Sequence, residues 1–134
     1  MTDNVDNVDH PAHYGRYSIE VIEIVRKMSF DQGNLIKYLL RAPFKGNYYE
    51  DLQKASWYFG DMIQHNVRFK LGHGASGRLL KVVNDLNELG KVDPRCRDVM
   101  GIIGDIACGD FCRAKRGLNE LIVKEREKME KKND

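Results

Sequence analysis

Apolar residues recur at three- and four-residue intervals along almost the whole chain, and no stretch shows the alternation of a half-buried strand. A face that repeats every 3.6 residues must be buried against another such face, so the periodicity points to packed helices. Six segments carry it. Ser18 is placed to cap the first, over 19–28, with Ile19, Ile22, Val25 and Met28 inward. Ser29 and Gln32 have the Ser-x-x-Gln form of a capping box and open the second, over 29–42. Its stripe is Leu35, Ile36, Leu39 and Leu40, and Pro43 and Gly46 end it. The third, over 48–65, has a weaker start at Asn47 and an apolar face of Leu52, Ala55, Phe59, Met62 and Ile63.

Ser76 is expected to cap the fourth helix, over 76–89, which carries Leu79, Val82, Val83, Leu86 and Leu89 and stops at Gly90. Asp93-Pro94 starts the fifth, over 94–108, because proline suits a first helical turn; Val99, Ile102, Ile103 and Ile106 face inward. Asp110 starts the sixth, over 111–130, with Phe111, Ala114, Leu118, Leu121 and Ile122. The expected fold is all-α, a bundle of about six helices. Residues 1–9 read as a flexible leader, 10–69 as a helical motif region, and 78–134 as a C-terminal helical extension. The stretch between the last two, KLGHGASG at 70–77, holds three glycines in eight residues and reads as a linker.

Composition narrows the function classes. With 134 residues the chain has one domain's worth of length. Lys and Arg total 22 against 20 Asp and Glu, a formal charge of +2, so there is no strong nucleic-acid signal in the overall field. No apolar run approaches a membrane span, and the acidic N-terminus lacks the basic and apolar regions of a signal peptide. Three cysteines suit a reduced, cytosolic protein. Cys108 and Cys112 read as buried thiols, and Gly101 and Gly104 as sites of close helix packing.

Asn34, Lys37, Tyr38 and Arg41 fall at i, i+3, i+4 and i+7, one face of the second helix, with Lys45 just beyond its end. Two cations, an amide and a phenol can bind a phosphate while an aromatic ring meets a base; a solvated helix face is the alternative. On the third helix, Glu50 and Asp51 could hold magnesium or pair with the cations of the second, whereas ordinary surface pairing, including Glu50 with Lys54, is the reading that spacing alone favours. His10 and His13 in HPAHY are too few for a metal clip. No GxxxxGK[ST] loop is present, which excludes a P-loop kinase.

The ordered set HPAHY, IEVIEIV, GNLIKYLLRAPFKGN and EDLQKASWYF, spanning roughly residues 10 to 65, resembles the signature of the SaV-like phage protein family. That family includes an early nucleotide kinase of a short-tailed coliphage, which works without a P-loop. The chain departs from the usual family pattern in two places. Gly33-Asn34 follows Phe30 almost at once, and Arg41-Ala42 is followed by Pro43 where the family prefers glycine. The resemblance implies a phage-encoded protein of the host bacterial cytoplasm that binds a nucleotide or deoxynucleotide, extending to deoxynucleoside monophosphate kinase activity with ATP and Mg2+ as cofactors.

On that reading Lys37, Arg41 and Lys45 neutralise phosphates, and Asn34 and His13 supply hydrogen bonds. Tyr14 and Tyr38 face the base, while Asp51 or Glu50 holds magnesium. Lys37, Arg41 and Asp51 form the catalytic set, and His10, Lys54, Trp57 and Tyr58 complete the substrate site. Arg41, as an exposed side chain, is expected to add little to folding. The rival expectation is a non-enzymatic host-interaction or anti-defence protein that binds a host defence protein or sequesters a nucleotide. Either way, apolar helical faces left to share predict a homo-oligomer.

Overall fold

Ser29 starts the helix around which the others collect. Its backbone is extended and its hydroxyl accepts the Gln32 N–H at 3.3 Å, satisfying a first-turn donor that has no partner within the helix. The helix that follows, α2 (Phe30–Arg41), is one of six in the computed structural model, which describes residues 16–44 and 46–132. The others are α1 (Val21–Val25), α3 (Tyr48–Gln64), α4 (His73–Leu89), α5 (Pro94–Ala107) and α6 (Phe111–Lys132). The fold is all-α, with no strand among the described residues, and no helix among them is long and apolar enough to cross a membrane. The expected leader at 1–9, together with His10, His13, Tyr14 and Lys45, lies outside the described residues.

Two helical hairpins, α2–α3 and α4–α5, pack against each other through α2 and α5, and α6 lies on both α5 and α3. The short α1 sits on α2 and α4. One apolar core runs through all six helices, from Val21 and Ile24 through Leu39, Leu52 and Leu86 to Ile103 and Leu118. The segments on either side of the glycine-rich stretch therefore share that core. Within the stretch, residues 73–77 are not linker but the first turns of α4, and Ser76 donates its N–H to the Gly72 carbonyl at 3.0 Å instead of capping. Glycine in a helix costs about 1 kcal/mol per residue. Burial of Leu79, Val82 and Leu86 further along the same helix offsets that cost.

The helix ends use backbone chemistry. Asn66, at φ 54°, ends α3, with Val67 N–H on the Met62 carbonyl at 2.8 Å and Asn66 N–H on Ile63 at 3.3 Å. Gly109, at φ 82°, does the same for α5 through Asp110 N–H on Asp105 at 2.9 Å and its own N–H on Ile106 at 3.0 Å. Both are Schellman closures, which need a residue that tolerates the left-handed region. The Asp93 and Asp110 carboxylates then cap α5 and α6 by accepting the N–H groups of Arg95 and Arg113.

The first segment departs most from its periodicity. Only Val21–Val25 is helical, Val21 and Ile24 are the buried positions, and Ile22 faces solvent. Ser18 does not cap; its N–H and hydroxyl both donate to Asp85 Oδ2 on α4, at 2.8 and 2.7 Å. The neighbouring Tyr17 hydroxyl donates to the Leu40 carbonyl near the end of α2. These two anchors hold the chain across α4 and α2, so the helix starts later and in a different phase. Ile63 and Phe111 are also exposed rather than buried, and so are Cys108 and Cys112; Cys96 is the buried thiol. A Cβ at Gly101 or Gly104 would meet no atom within 4 Å, so neither marks a close helix approach.

The second half of the Ser29–Gln32 capping box is used elsewhere. The buried Gln32 amide pairs with the backbone of Lys70, donating to its carbonyl and accepting its N–H, both at 2.9 Å. This clasp ties the α3–α4 connection to the start of α2. Gln32→Ala should cost about 2 kcal/mol, one unit for each hydrogen bond lost. A drop in melting temperature together with faster hydrogen exchange at the Lys70 amide is the expected outcome.

Candidate functional site

The antiparallel α2–α3 hairpin buries Leu35, Leu39, Leu52, Ala55 and Phe59 on one side, which leaves a seam between the two helices on the other. Tyr38 lies at the centre of that seam. Its ring stacks on Tyr58 of α3 with centroids 5.9 Å apart and planes 13° apart, an offset geometry favoured by aromatic quadrupoles. Three cations surround the same ring: Lys37 Nζ at 4.6 Å, Arg41 Cζ at 5.3 Å and Lys54 Nζ at 5.5 Å from the centroid. Each is within the reach of a cation–π contact. Trp57 and Phe30 meet Tyr58 edge-on, at 5.1 and 5.8 Å, and are 63% and 75% exposed.

The structure thus gathers Lys37, Tyr38, Arg41, Lys54, Trp57 and Tyr58 on one surface. Asn34 lies one turn back from Tyr38, its amide donating to the Phe30 carbonyl at 2.8 Å. Phe30 belongs to the surface and was not anticipated. The only sequence signal was a large aromatic at the first position of a capped helix, outside the leucine stripe. Tyr38 is packed between Tyr58 and the cations, whereas Trp57 and Phe30 are the exposed rings of this surface.

Arg41 is not the exposed side chain expected. It is 13% exposed and its Nε lies 3.4 Å from Oδ2 of Asp51, which is 1% exposed. The pair is close enough for charge attraction but is not aligned as a hydrogen bond, and neither Asp51 oxygen has a hydrogen-bond partner among the described residues. Burial pushes the Asp51 carboxyl above its ordinary range, and Arg41 and then Lys54 pull it back. Glu50 is exposed and bound to Lys54 at 3.1 Å, and that contact holds the Lys54 ammonium above its usual range. Asp51 is turned inward and Glu50 is paired with Lys54. No group of three or more His, Cys, Asp or Glu among the described residues is arranged to hold a metal ion.

At the other end of the hairpin the Asp31 carboxyl meets that of Asp61, and His65 Nδ1 lies 3.2 Å from Asp61 Oδ1. Burial and then the Asp61 contact and charge push Asp31 above the ordinary carboxylate range, while His65 pulls it down. Thirty residues separate these two acids, and nothing in their local sequence pairs them.

Two predictions follow from these pairs. Arg41→Ala leaves Asp51 buried without a counter-charge and should destabilise the fold by about 3 kcal/mol, read as a lower denaturation midpoint, whereas Lys37→Ala should change it little. Asp31, with its folded pKa raised, stabilises the fold in its neutral form, and that contribution is lost as pH rises through the folded pKa. Asp31→Asn should therefore gain on the wild type as pH rises from about 3 to about 8. Parallel thermal melts read the difference; one that stays constant or reverses with pH would contradict the assignment.

A family model described as a protein of unknown function, DUF3310, matches residues 8–60, a span that includes α1, α2 and α3 as far as Gly60 and every member of the Tyr38 cluster. No curated protein and no solved structure matches the chain.

Proposed function

We propose that the α2–α3 surface binds a nucleotide, with its phosphate among Lys37, Lys54 and Arg41 and its base against Trp57. The observation that carries this reading is the Tyr38 ring ringed by three cations beside two exposed aromatics. Cations and open rings side by side suit a ligand that joins an anion to a flat π-face. A purely structural surface has little reason to leave Trp57 and Phe30 in water. Lys37 is the cation with no carboxylate partner among the described residues, so it carries most of the phosphate contact, while Arg41 contributes charge from its place beside Asp51. The resemblance to the SaV-like family supports the same reading and extends it to phosphoryl transfer onto a deoxynucleoside monophosphate. Such transfer rests mainly on positioning and charge neutralisation.

A second reading, a host-interaction protein without turnover, draws on the same exposed Phe30 and Trp57, since aromatic anchors of this kind also serve protein interfaces.

Calorimetric titration of each deoxynucleoside monophosphate decides between them. Trp57→Ala should weaken binding by about 1–3 kcal/mol through lost stacking, and Lys37→Ala by about 1.5–3 kcal/mol through a lost charged hydrogen bond. Both variants should melt with the wild type. Diphosphate product over many turnovers with ATP and magnesium identifies a kinase, and stoichiometric binding without product a binder. Equal affinities for the wild type and both variants would remove the site from this surface.

A further inference from the structure

A second cleft, of about 950 Å3, opens on a different part of the molecule, where the N-termini of α3 and α5 meet the C-terminal turns of α6. We propose that this cleft binds an oligophosphate chain, as free inorganic oligophosphate or as the tail of a nucleoside triphosphate. Two helix N-termini converge here, from helices of 17 and 14 residues, each presenting the positive end of its dipole. Asn47, at the start of α3, makes no side-chain cap, so no side chain occupies the first-turn N–H groups of that helix. Lys128, Lys131 and Lys132 lie at i, i+3 and i+4 on α6 and line the opposite wall. A row of cations facing two helix ends suits several linked phosphates better than one.

Tyr48 supplies the observation that does not depend on helix ends. It is 3% exposed, it lines the cleft, and its hydroxyl has no hydrogen-bond partner among the described residues. The groups that act on its phenol are Asp98, Glu125, Arg95 and Asp93, all four of which line the same cleft. Tyr48 therefore forms part of the cleft wall, with its hydroxyl oxygen enclosed. Burial, followed by those carboxylates, pushes the phenol well above its ordinary range, so it stays protonated and can donate. Arg95 is held over the Tyr48 ring, its Cζ 4.6 Å from the centroid, which keeps a cation in the cleft wall. A buried hydroxyl left without a partner costs stability, and an anion entering the cleft would supply the missing acceptor.

The lining also carries carboxylates, most of which are committed. Asp93 caps α5 through Arg95 N–H, Glu125 pairs with Lys128 at 3.2 Å, and Glu50 pairs with Lys54. Asp98 remains, one of the carboxylates that add to burial in raising the Tyr48 phenol. Lys131 and Lys132 form no ion pair among the described residues, so their charge is available to a ligand.

Sodium tripolyphosphate, which has no base to engage the α2–α3 surface, is the probe. Titrated calorimetrically into the full chain, it should bind with a salt-dependent affinity. Tyr48→Phe should weaken it about tenfold or more, the equivalent of one hydrogen bond to a charged group, without lowering the melting temperature, because the hydroxyl has no partner to lose. Lys131→Ala combined with Lys132→Ala should weaken it further and flatten the salt dependence. Lys37→Ala, on the other surface, should leave it unchanged. In a Trp57→Ala, Lys37→Ala background, ATP binding more tightly than tripolyphosphate assigns the cleft to a nucleoside triphosphate, and equal affinities assign it to the phosphate chain alone. No binding at millimolar tripolyphosphate, equal affinity for wild type and Tyr48→Phe, or loss of binding in Lys37→Ala would each overturn the proposal.

Discussion

Leu35, Ile36, Leu39 and Leu40 are withdrawn from solvent completely, because α1, α3 and α5 each pack against the helix that carries them. Full burial of a leucine or isoleucine side chain contributes about 1.5–3 kcal/mol, and four on one twelve-residue helix make α2 the element whose loss would separate the rest. The crowding also reaches residues that a surface helix would expose, since Asp31, Gln32 and Gly33 are buried in its first turn. What remains open on α2 is a narrow strip of Phe30, Asn34, Lys37 and Tyr38, with Arg41 largely covered at its end. The candidate surface is that strip together with the part of α3 that faces it.

Such a strip ties its surface residues to the stability of the fold. Arg41 points along the seam toward Asp51 at the start of α3, where it holds the hairpin by charge and sets the field that Tyr38 and Lys54 sit in. A loosely aligned buried pair is poor support for a fold, yet removing either member strands the other. Lys37, half-buried over Tyr38, and Trp57, exposed, are free of that obligation, so substitutions there leave the core in place.

The Tyr38 surface and the Tyr48 cleft lie on either side of the first turns of α3, and both depend on how those turns are held. Tyr48 and Asp51 are buried there, while Glu50 between them faces out. The hairpin turn just before them is shaped by Gly46 at φ 88°, a conformation that glycine adopts at little cost. Both features come from the first four positions of one helix, with Tyr48 turned toward α5 and α6 and Asp51 toward α2.

Local chemistry alone determined much of this protein. The leucine stripe of α2, the Ser29 cap, the Asp93-Pro94 start of α5 and the Asp110 start of α6 could all be read from spacing and residue type, because each depends on neighbours within one or two helical turns. The shared face of Asn34, Lys37, Tyr38 and Arg41 was legible for the same reason. Partners distant in sequence were not. Ser18 is drawn to Asp85, Gln32 to Lys70 and Asp31 to Asp61, contacts that shortened α1 and split the capping box, while the pairing of Asp51 with a cation of α2, one of the roles open to it in the sequence, was realised with Arg41 and buried. Tertiary structure decided them, because a polar group is free to choose among partners until packing removes the water that competes for it.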